Sequence, residues 1–203
     1  MKKRLHAARK DYDFNYILAY FTNIDSLGLT VLPIHRLVRL DKKPDIDNLI
    51  LRLKDYFYVE EHKDKTEFLF LLQKAGQAEH ALGMYNGNKY WLLRLKNIKV
   101  LDKMIADKPP EYRSVDVAIL NAIVLENILQ LELDDKSRIS FSPDAEGLFA
   151  AVEEDNSRIA FLLNAAKVEQ IVSVALRGEK MPPKSTYFYP KVLSGLVINK
   201  HEG

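Results

Sequence analysis

Hydrophobic residues recur along this chain in two patterns, one typical of strands and one typical of helices. Short runs rich in β-branched and aromatic residues, bounded by turn residues, predict strands. Apolar residues that recur every three or four positions predict amphipathic helices. The predicted strands are residues 16–24, 29–40, 56–59, 81–85, 89–95, 139–141, 158–163 and 195–198. The predicted helices are residues 44–53, 66–75, 98–106, 114–131, 142–155 and 164–177, with the end of a further helix at residues 5–10.

Two turns predict hairpins in the first half of the chain. Asn86-Gly87-Asn88 lies between two β-prone runs, and because Asn and Gly tolerate a positive φ, this is a strong hairpin signal. Residues 25–28 are turn-forming and separate the first two predicted strands. Pro33 lies inside the second of these strands, which predicts an edge position or a bulge there, since proline cannot donate to the ladder.

Single residues predict where several helices begin and end. Ser114 and Asn164 are of the type that caps a helix N-terminus. Pro143 is suited to the first position of a helix. Gly76 and Gly178 are suited to the position just after a helix.

The combined pattern predicts a mixed α/β fold. Residues 114–131 are apolar on most faces and predict a long buried helix at the centre of the protein. The last third of the chain alternates strand, helix, strand, helix and strand, which favours βαβ crossovers with parallel pairing. We therefore expect mixed sheets covered by helices, with hairpins in the first half and βαβ units in the last third.

The length of 203 residues fits one large domain or two small ones. We interpret residues 1–203 as a single region. The only linker-like segment, which contains Pro109-Pro110, suggests a subdivision into a hairpin-rich part, residues 1–108, and a βαβ part, residues 109–203.

Composition narrows the possible partners and sites. The chain is 47% hydrophobic and 29% charged, with a net charge of +2, which is too balanced to favour nucleic acid binding. It contains no cysteine, which excludes disulfides and cysteine-ligated metal sites and suits a reducing cytoplasm. Polar residues interrupt the most apolar window, residues 115–131, so we expect no membrane span. The five histidines show no metal-ligand spacing, and we expect a cytoplasmic protein without metal or cofactor.

Residues 181–196 hold the densest group of candidate binding residues. Prolines at three positions restrict φ and favour an extended chain. Lys184, Ser185, Thr186 and Lys191 could hold a phosphate or a carboxylate through charge-assisted hydrogen bonds. The alternative is a solvated or strand-pairing segment in which side chains alternate between two faces.

His35 and Arg36 form a second candidate group. A histidine beside an arginine at the end of a strand could supply an acid–base group and a clamp for an anion. The alternative is a hydrogen-bonded structural feature of the strand.

Four sequence motifs resemble a known family when taken together. They are LPIHRLV from Leu32, DVAIL from Asp116, AFLLN from Ala160 and MPPKSTYFYPKVLSGLVIN from Met181. They are similar to the bacterial and archaeal family called domain of unknown function 1015, in the same order and across nearly the whole chain.

This resemblance implies that part of the family architecture is absent. Full-length members look about twice as long, and their N-terminal half ends in an Asp-Gly-His-His-Arg-Tyr motif. That motif is similar to the phosphate-handling motif of the ParB/sulfiredoxin superfamily, which includes nucleotide-dependent serine kinases. No such motif occurs here. The chain therefore resembles the C-terminal half alone, and the missing N-terminal half is an expected partner.

Three functional hypotheses follow. In the first, the chain supports a site for a nucleotide or a phosphorylated small molecule located mainly in the absent half. The residues expected to face that ligand are Lys184, Ser185, Thr186, Lys191, His35 and Arg36. In the second, the chain is part of an enzyme related to the ParB/sulfiredoxin-like kinases. In the third, it is an interaction module whose exposed apolar patch favours a homodimer.

Overall fold

The structure is a computed structural model that describes residue 16, residues 19–21, residue 23 and residues 30–198. The predicted helix end at residues 5–10 lies outside the described residues, as does most of the predicted strand at residues 16–24. The chain forms two compact units. One comprises Met1–Thr30 and Pro190–Gly203, and the other comprises Val31–Tyr189.

Strands in the larger unit build a sheet of six. The described residues form eight strands, six of which belong to this sheet. They are β1 (Thr30–Leu32), β2 (His35–Arg39), β3 (Phe57–His62), β4 (Ala81–Tyr85), β5 (Tyr90–Leu95), β6 (Ile139–Ser142), β7 (Arg158–Leu163) and β8 (Tyr187–Tyr189). The six-stranded sheet has the order β3-β5-β4-β7-β2-β6, and β1 pairs with β8 in a separate two-stranded sheet. The mixed α/β class predicted from the sequence is confirmed.

Helices pack on both faces of the six-stranded sheet. They are α1 (Ile46–Leu53), α2 (Lys65–Ala78), a 3₁₀ turn (Ile98–Val100), α3 (Leu101–Met104), α4 (Pro110–Arg113), α5 (Asp116–Ile119), a π-helix (Leu120–Ile128), α6 (Ala145–Glu154) and α7 (Val168–Leu176). The π-helix packs in the core on one face, while α2 and α6 pack on the other. Within the described part of the chain, no helix is both long enough and apolar enough to cross a membrane.

The prediction of parallel pairing in the last third is wrong. β2 pairs antiparallel with both β6 and β7, so β6 and β7 run in the same direction but are separated by β2. The strand–helix–strand unit β6–α6–β7 is present, and its crossover passes over an intervening strand. A strand–helix–strand order along the chain favours two strands that run in the same direction. It does not show whether those two strands are neighbours in the sheet.

The β4–β5 hairpin is confirmed, with Gly87 at a φ of 89° in its turn. The predicted strand at residues 29–40 is interrupted at Pro33-Ile34, which gives the two strands β1 and β2. β2 lies inside the sheet, between β7 and β6. Pro33 therefore precedes an inner strand.

The long helix predicted at residues 114–131 is present from Asp116 to Ile128 as α5 followed by the π-helix. Its burial is confirmed, since nearly all its apolar side chains lie in the core. Ser114 does not cap it, because the Ser114 hydroxyl donates to the Glu111 carbonyl at 2.8 Å.

Several predicted helix ends and one strand are also wrong. Pro143 precedes the N-cap of α6, which is Asp144. Asn164 is not a cap, because α7 begins only at Val168. Residues 195–198 form a turn and a bend rather than a strand.

Gly76 lies inside α2 and makes room for Asn164. A Cβ atom at Gly76 would lie 2.2 Å from Nδ2 of Asn164. That amide nitrogen donates to the carbonyls of Leu72 at 3.2 Å and Ala81 at 3.3 Å. Asn164 therefore ties the end of β7 to both α2 and β4, and this contact requires a glycine at position 76.

We expect Gly76→Ala to lower the free energy of unfolding by about 1 kcal/mol. Alanine in a helix interior gains roughly 1 kcal/mol over glycine, but displacing Asn164 breaks two hydrogen bonds that together contribute about 2 kcal/mol. Urea unfolding measures the difference. In an Asn164→Ala background the same change should stabilise the protein, and destabilisation in both backgrounds would contradict this account.

Candidate functional site

β2 places His35 and Arg36 on opposite faces of the six-stranded sheet, because successive side chains of a strand alternate. Arg36 lies opposite Phe141 of β6 and Phe161 of β7 in the strand register. His35 lies on the face that α2 covers. The two residues therefore belong to different sites.

Arg36 is a buried cation, and its hydrogen bonds to the described residues all go to backbone carbonyls. Its residue exposure is 1%. Nη1 donates to the Ile34 carbonyl, and Nη2 donates to the carbonyls of Lys184 at 3.0 Å and Pro183 at 3.4 Å. Its Nε is buried and has no partner among the residues that the structure describes, and the guanidinium carbon lies 4.7 Å from the ring centroid of Phe141. Within the described part of the chain, no carboxylate forms an ion pair with Arg36.

Burial lowers the pKa of Arg36 to about 10. The side chain still carries its charge at neutral pH. A buried charge is costly unless it is paired, and here the carbonyl dipoles offset only part of that cost.

Arg36 lines a cavity of about 260 Å³, which we call the Arg36 pocket. Its walls combine an aromatic ring and aliphatic side chains with two lysines, one carboxylate and one amide. The residues that line it are Arg36, Asn121, Leu125, Leu133, Asp134, Lys136, Ile139, Phe141, Pro183 and Lys184. Its size suits a ligand smaller than a drug-sized molecule.

The Pro182–Ser185 turn forms one side of this pocket. Lys184 has a φ of 56°, in the left-handed region that an L-residue other than glycine rarely adopts. Ser185 is buried, and its hydroxyl donates to the Pro182 carbonyl. The predicted extended chain is therefore wrong at Lys184, although Tyr187–Tyr189 does form a strand. Because Arg36 holds the Lys184 carbonyl, the backbone of Lys184 is fixed beside the pocket.

A comparison with protein families gives one match. The sequence model described as "Protein of unknown function (DUF1015)" matches residues 1–118. The chain belongs to this family. The matched range includes His35 and Arg36 and ends before the other residues of the Arg36 pocket.

Solved structures that are similar to this DUF1015 protein are 12–17% identical to it in sequence. A conserved hypothetical protein from Pyrococcus furiosus is 17% identical, with a TM-score of 0.44, and the match covers 82% of this chain and 59% of that one. A free serine kinase in complex with AMP is 15% identical, with a TM-score of 0.45, covering 82% of this chain and 56% of that one. A mutant of a free serine kinase in complex with ADP is 12% identical, with a TM-score of 0.42 and the same coverage. No curated protein matches the chain. The chain thus spans 56–59% of the length of these solved proteins.

Of the six residues predicted to face a ligand, the structure of the DUF1015 protein brings Arg36 and Lys184 to one pocket. Ser185 lies in the same turn, but its hydroxyl is already used by a backbone carbonyl. Thr186 is partly buried next to it. Lys191 is exposed and belongs to the unit formed by Met1–Thr30 and Pro190–Gly203.

His35 has a structural environment. Its Nδ1 accepts a hydrogen bond from the backbone N–H of Leu163 at 3.1 Å. Burial, with a smaller contribution from the neighbouring Arg36 charge, lowers the pKa of His35 to about 4. The imidazole is therefore neutral at physiological pH, with its Nδ1 lone pair already engaged.

Sequence reasoning missed four polar or aromatic residues of the Arg36 pocket, namely Asn121, Asp134, Lys136 and Phe141. Asn121 carried a signal, because it is a polar residue within a long apolar helix. Phe141 needed the strand register, and Asp134 and Lys136 needed the path of the loop before β6, neither of which the sequence shows. Among the described residues, no group of three or more His, Cys, Asp or Glu side chains could hold a metal ion.

Proposed function

We propose that this DUF1015 chain binds a phosphate-type ligand in the Arg36 pocket and forms one wall of a larger ligand site. The observation that carries this proposal is the buried Arg36 guanidinium, which has a free Nε and no carboxylate partner among the described residues. Guanidinium groups match phosphate and carboxylate oxygens in geometry as well as in charge. The remaining residues of the site would come from a further segment of a longer protein.

The surroundings of Arg36 favour a phosphate attached to a compact body. Lys136 and Lys184 line the same pocket and add two ammonium groups to the guanidinium. Leu125 and Phe141 supply apolar walls for the body of the ligand. A volume of about 260 Å³ fits a phosphorylated small molecule such as phosphoserine, or the phosphate-bearing end of a nucleotide.

The role of this wall is to bind and orient the ligand. His35, the acid–base residue suggested by the sequence, lies on the opposite face of the sheet and has a pKa of about 4. Arg36 keeps its proton at neutral pH. Arg36 can therefore bind and position an anion, and neither residue is suited to transfer a proton to it.

The substitution Lys184→Asn should weaken ligand binding without lowering the stability of the protein. Asparagine tolerates the left-handed conformation better than lysine, so the free energy of unfolding should stay equal or rise by a few tenths of a kcal/mol. Loss of the ammonium group should weaken phosphoserine binding about tenfold, as expected for one charge-assisted hydrogen bond. Isothermal titration calorimetry with phosphoserine, ADP and inorganic phosphate measures the affinity.

Lys74→Ala is the matched control, because Lys74 is an exposed lysine of α2 that does not line the pocket. It removes the same charge and should leave the affinity within about twofold. Equal affinities for wild type, Lys184→Asn and Lys74→Ala would contradict a ligand at this pocket. So would the absence of binding by all three probes at millimolar concentration.

A further inference from the structure

Three arginines lie side by side across the six-stranded sheet, two on adjacent strands and one just before a third strand, on the face opposite the Arg36 pocket. Arg39 of β2 lies directly opposite Arg158 of β7 in the register. On its other side, the Arg39 backbone N–H donates to the Arg138 carbonyl at 2.8 Å, one residue before β6 begins. We call Arg138, Arg39 and Arg158 the arginine row.

Like charges directly opposite each other destabilise a pair of strands. Adjacent strands lie about 4.8 Å apart, so the backbone positions of the three arginines span about 10 Å of one sheet face. A bound anion would offset the repulsion that the carboxylate partners of these arginines leave between them.

Carboxylates form ion pairs with the two outer arginines of the row. Arg138 pairs with Asp41 at 2.7 Å and with Asp135 at 3.6 Å. Arg158 pairs with Asp155 at 3.1 Å and also donates to a backbone carbonyl. These contacts fix the side chains before any ligand arrives, which lowers the entropy cost of binding.

The arginine row lines a cleft of about 250 Å³ that carries no carboxylate on its walls within the described part of the chain. Lys136, Ser137 and Ser140 contribute an ammonium group and two hydroxyls to the same cleft. Arg39 itself has no ion pair with any residue that the structure describes.

We propose that the arginine row is a second anion-binding site and that its ligand is a polyphosphate group. The row is wider than one phosphate, so a chain of two or three phosphate groups can contact several guanidinium groups at once. This site is independent of the ligand proposed for the Arg36 pocket. Lys136 and Ile139 line both cavities.

Calorimetric titration of the full chain with inorganic tripolyphosphate tests this site. Arg39→Gln should weaken tripolyphosphate binding about tenfold, because it removes one charge-assisted contact. It should also leave the melting temperature equal or higher, since it relieves repulsion within the row. Inorganic monophosphate should bind more weakly than tripolyphosphate to the wild-type protein.

Two control variants locate the bound polyphosphate on the protein. Arg52→Gln removes an exposed arginine of α1 that lies outside the row, and it should leave the affinity for tripolyphosphate unchanged. Lys184→Asn should also leave it unchanged, because Lys184 lines the Arg36 pocket and is not among the residues that line the cleft at the arginine row. If Lys184→Asn weakens tripolyphosphate binding as much as Arg39→Gln, the polyphosphate occupies the Arg36 pocket and the second site is refuted. Equal losses in Arg39→Gln and Arg52→Gln, or no binding at millimolar tripolyphosphate, would refute it too.

Discussion

Lowering the pH from neutral to about 4 is expected to remove about 3 kcal/mol of unfolding free energy through His35 alone. In the unfolded chain this imidazole takes up a proton below about pH 6.5, whereas in the folded protein it does so only below about pH 4. Between these values the unfolded state binds more protons, so stability falls as the pH falls. The physical causes are burial and the Arg36 charge, both of which disfavour an imidazolium.

The variant His35→Asn isolates this contribution, because its side-chain oxygen can accept the hydrogen bond from the Leu163 N–H. Urea unfolding of both proteins is measured at neutral pH and near pH 4.5. The wild-type protein should lose about 2 to 3 kcal/mol more than the variant over this interval. An equal loss in the two proteins would show that His35 titrates normally in the folded state.

The substitution Phe68→Ala should cost about 3 to 5 kcal/mol of unfolding free energy. Phe68 of α2 is fully buried, and its ring stacks on Tyr90 with centroids 5.0 Å apart. It also fills the space left by Gly83, where a Cβ atom would lie 2.6 Å from the Phe68 ring. A cavity at this position is enclosed by α2 and the sheet, so the surroundings can collapse only partly.

Thermal unfolding measures the effect, and we expect the melting temperature to fall by roughly 6 to 20 °C. Phe68→Leu keeps most of the buried volume and should cost only about 1 to 1.5 kcal/mol. If the alanine and leucine variants melt at the same temperature, the ring of Phe68 does not support the packing of α2 on the sheet.

Local features of this fold could be predicted from the sequence because each depends on a few adjacent residues. The turn at Gly87 specifies the β4–β5 hairpin through its positive φ. The apolar run at residues 115–131 specifies a buried helix, since no face of it is suited to water. The neighbours of each strand could not be predicted, because they depend on contacts between residues far apart in the chain. The insertion of β2 between β6 and β7 is the clearest example.

The sequence predicts only part of the candidate site, because residues far apart in the chain also form this site. Arg36 and Lys184 were both singled out by residue type, but their contact joins segments that lie far apart in the sequence. The sequence groups His35 with Arg36 because they are adjacent, whereas adjacency within a strand places side chains on opposite faces. Asn164 is a residue type that predicts a helix cap, whereas its contact with Gly76 in the structure is long-range.

The most direct test of anion binding in the Arg36 pocket is an NMR titration that follows the Arg36 Nε–H signal. Its disappearance in Arg36→Lys assigns the signal, and phosphoserine and inorganic phosphate are the titrants. If an anion occupies the pocket, this signal should shift in a saturable way, and the midpoint should rise about tenfold in Lys184→Asn. A signal that stays unchanged while other arginine signals shift would contradict the account and place the anion elsewhere on the protein.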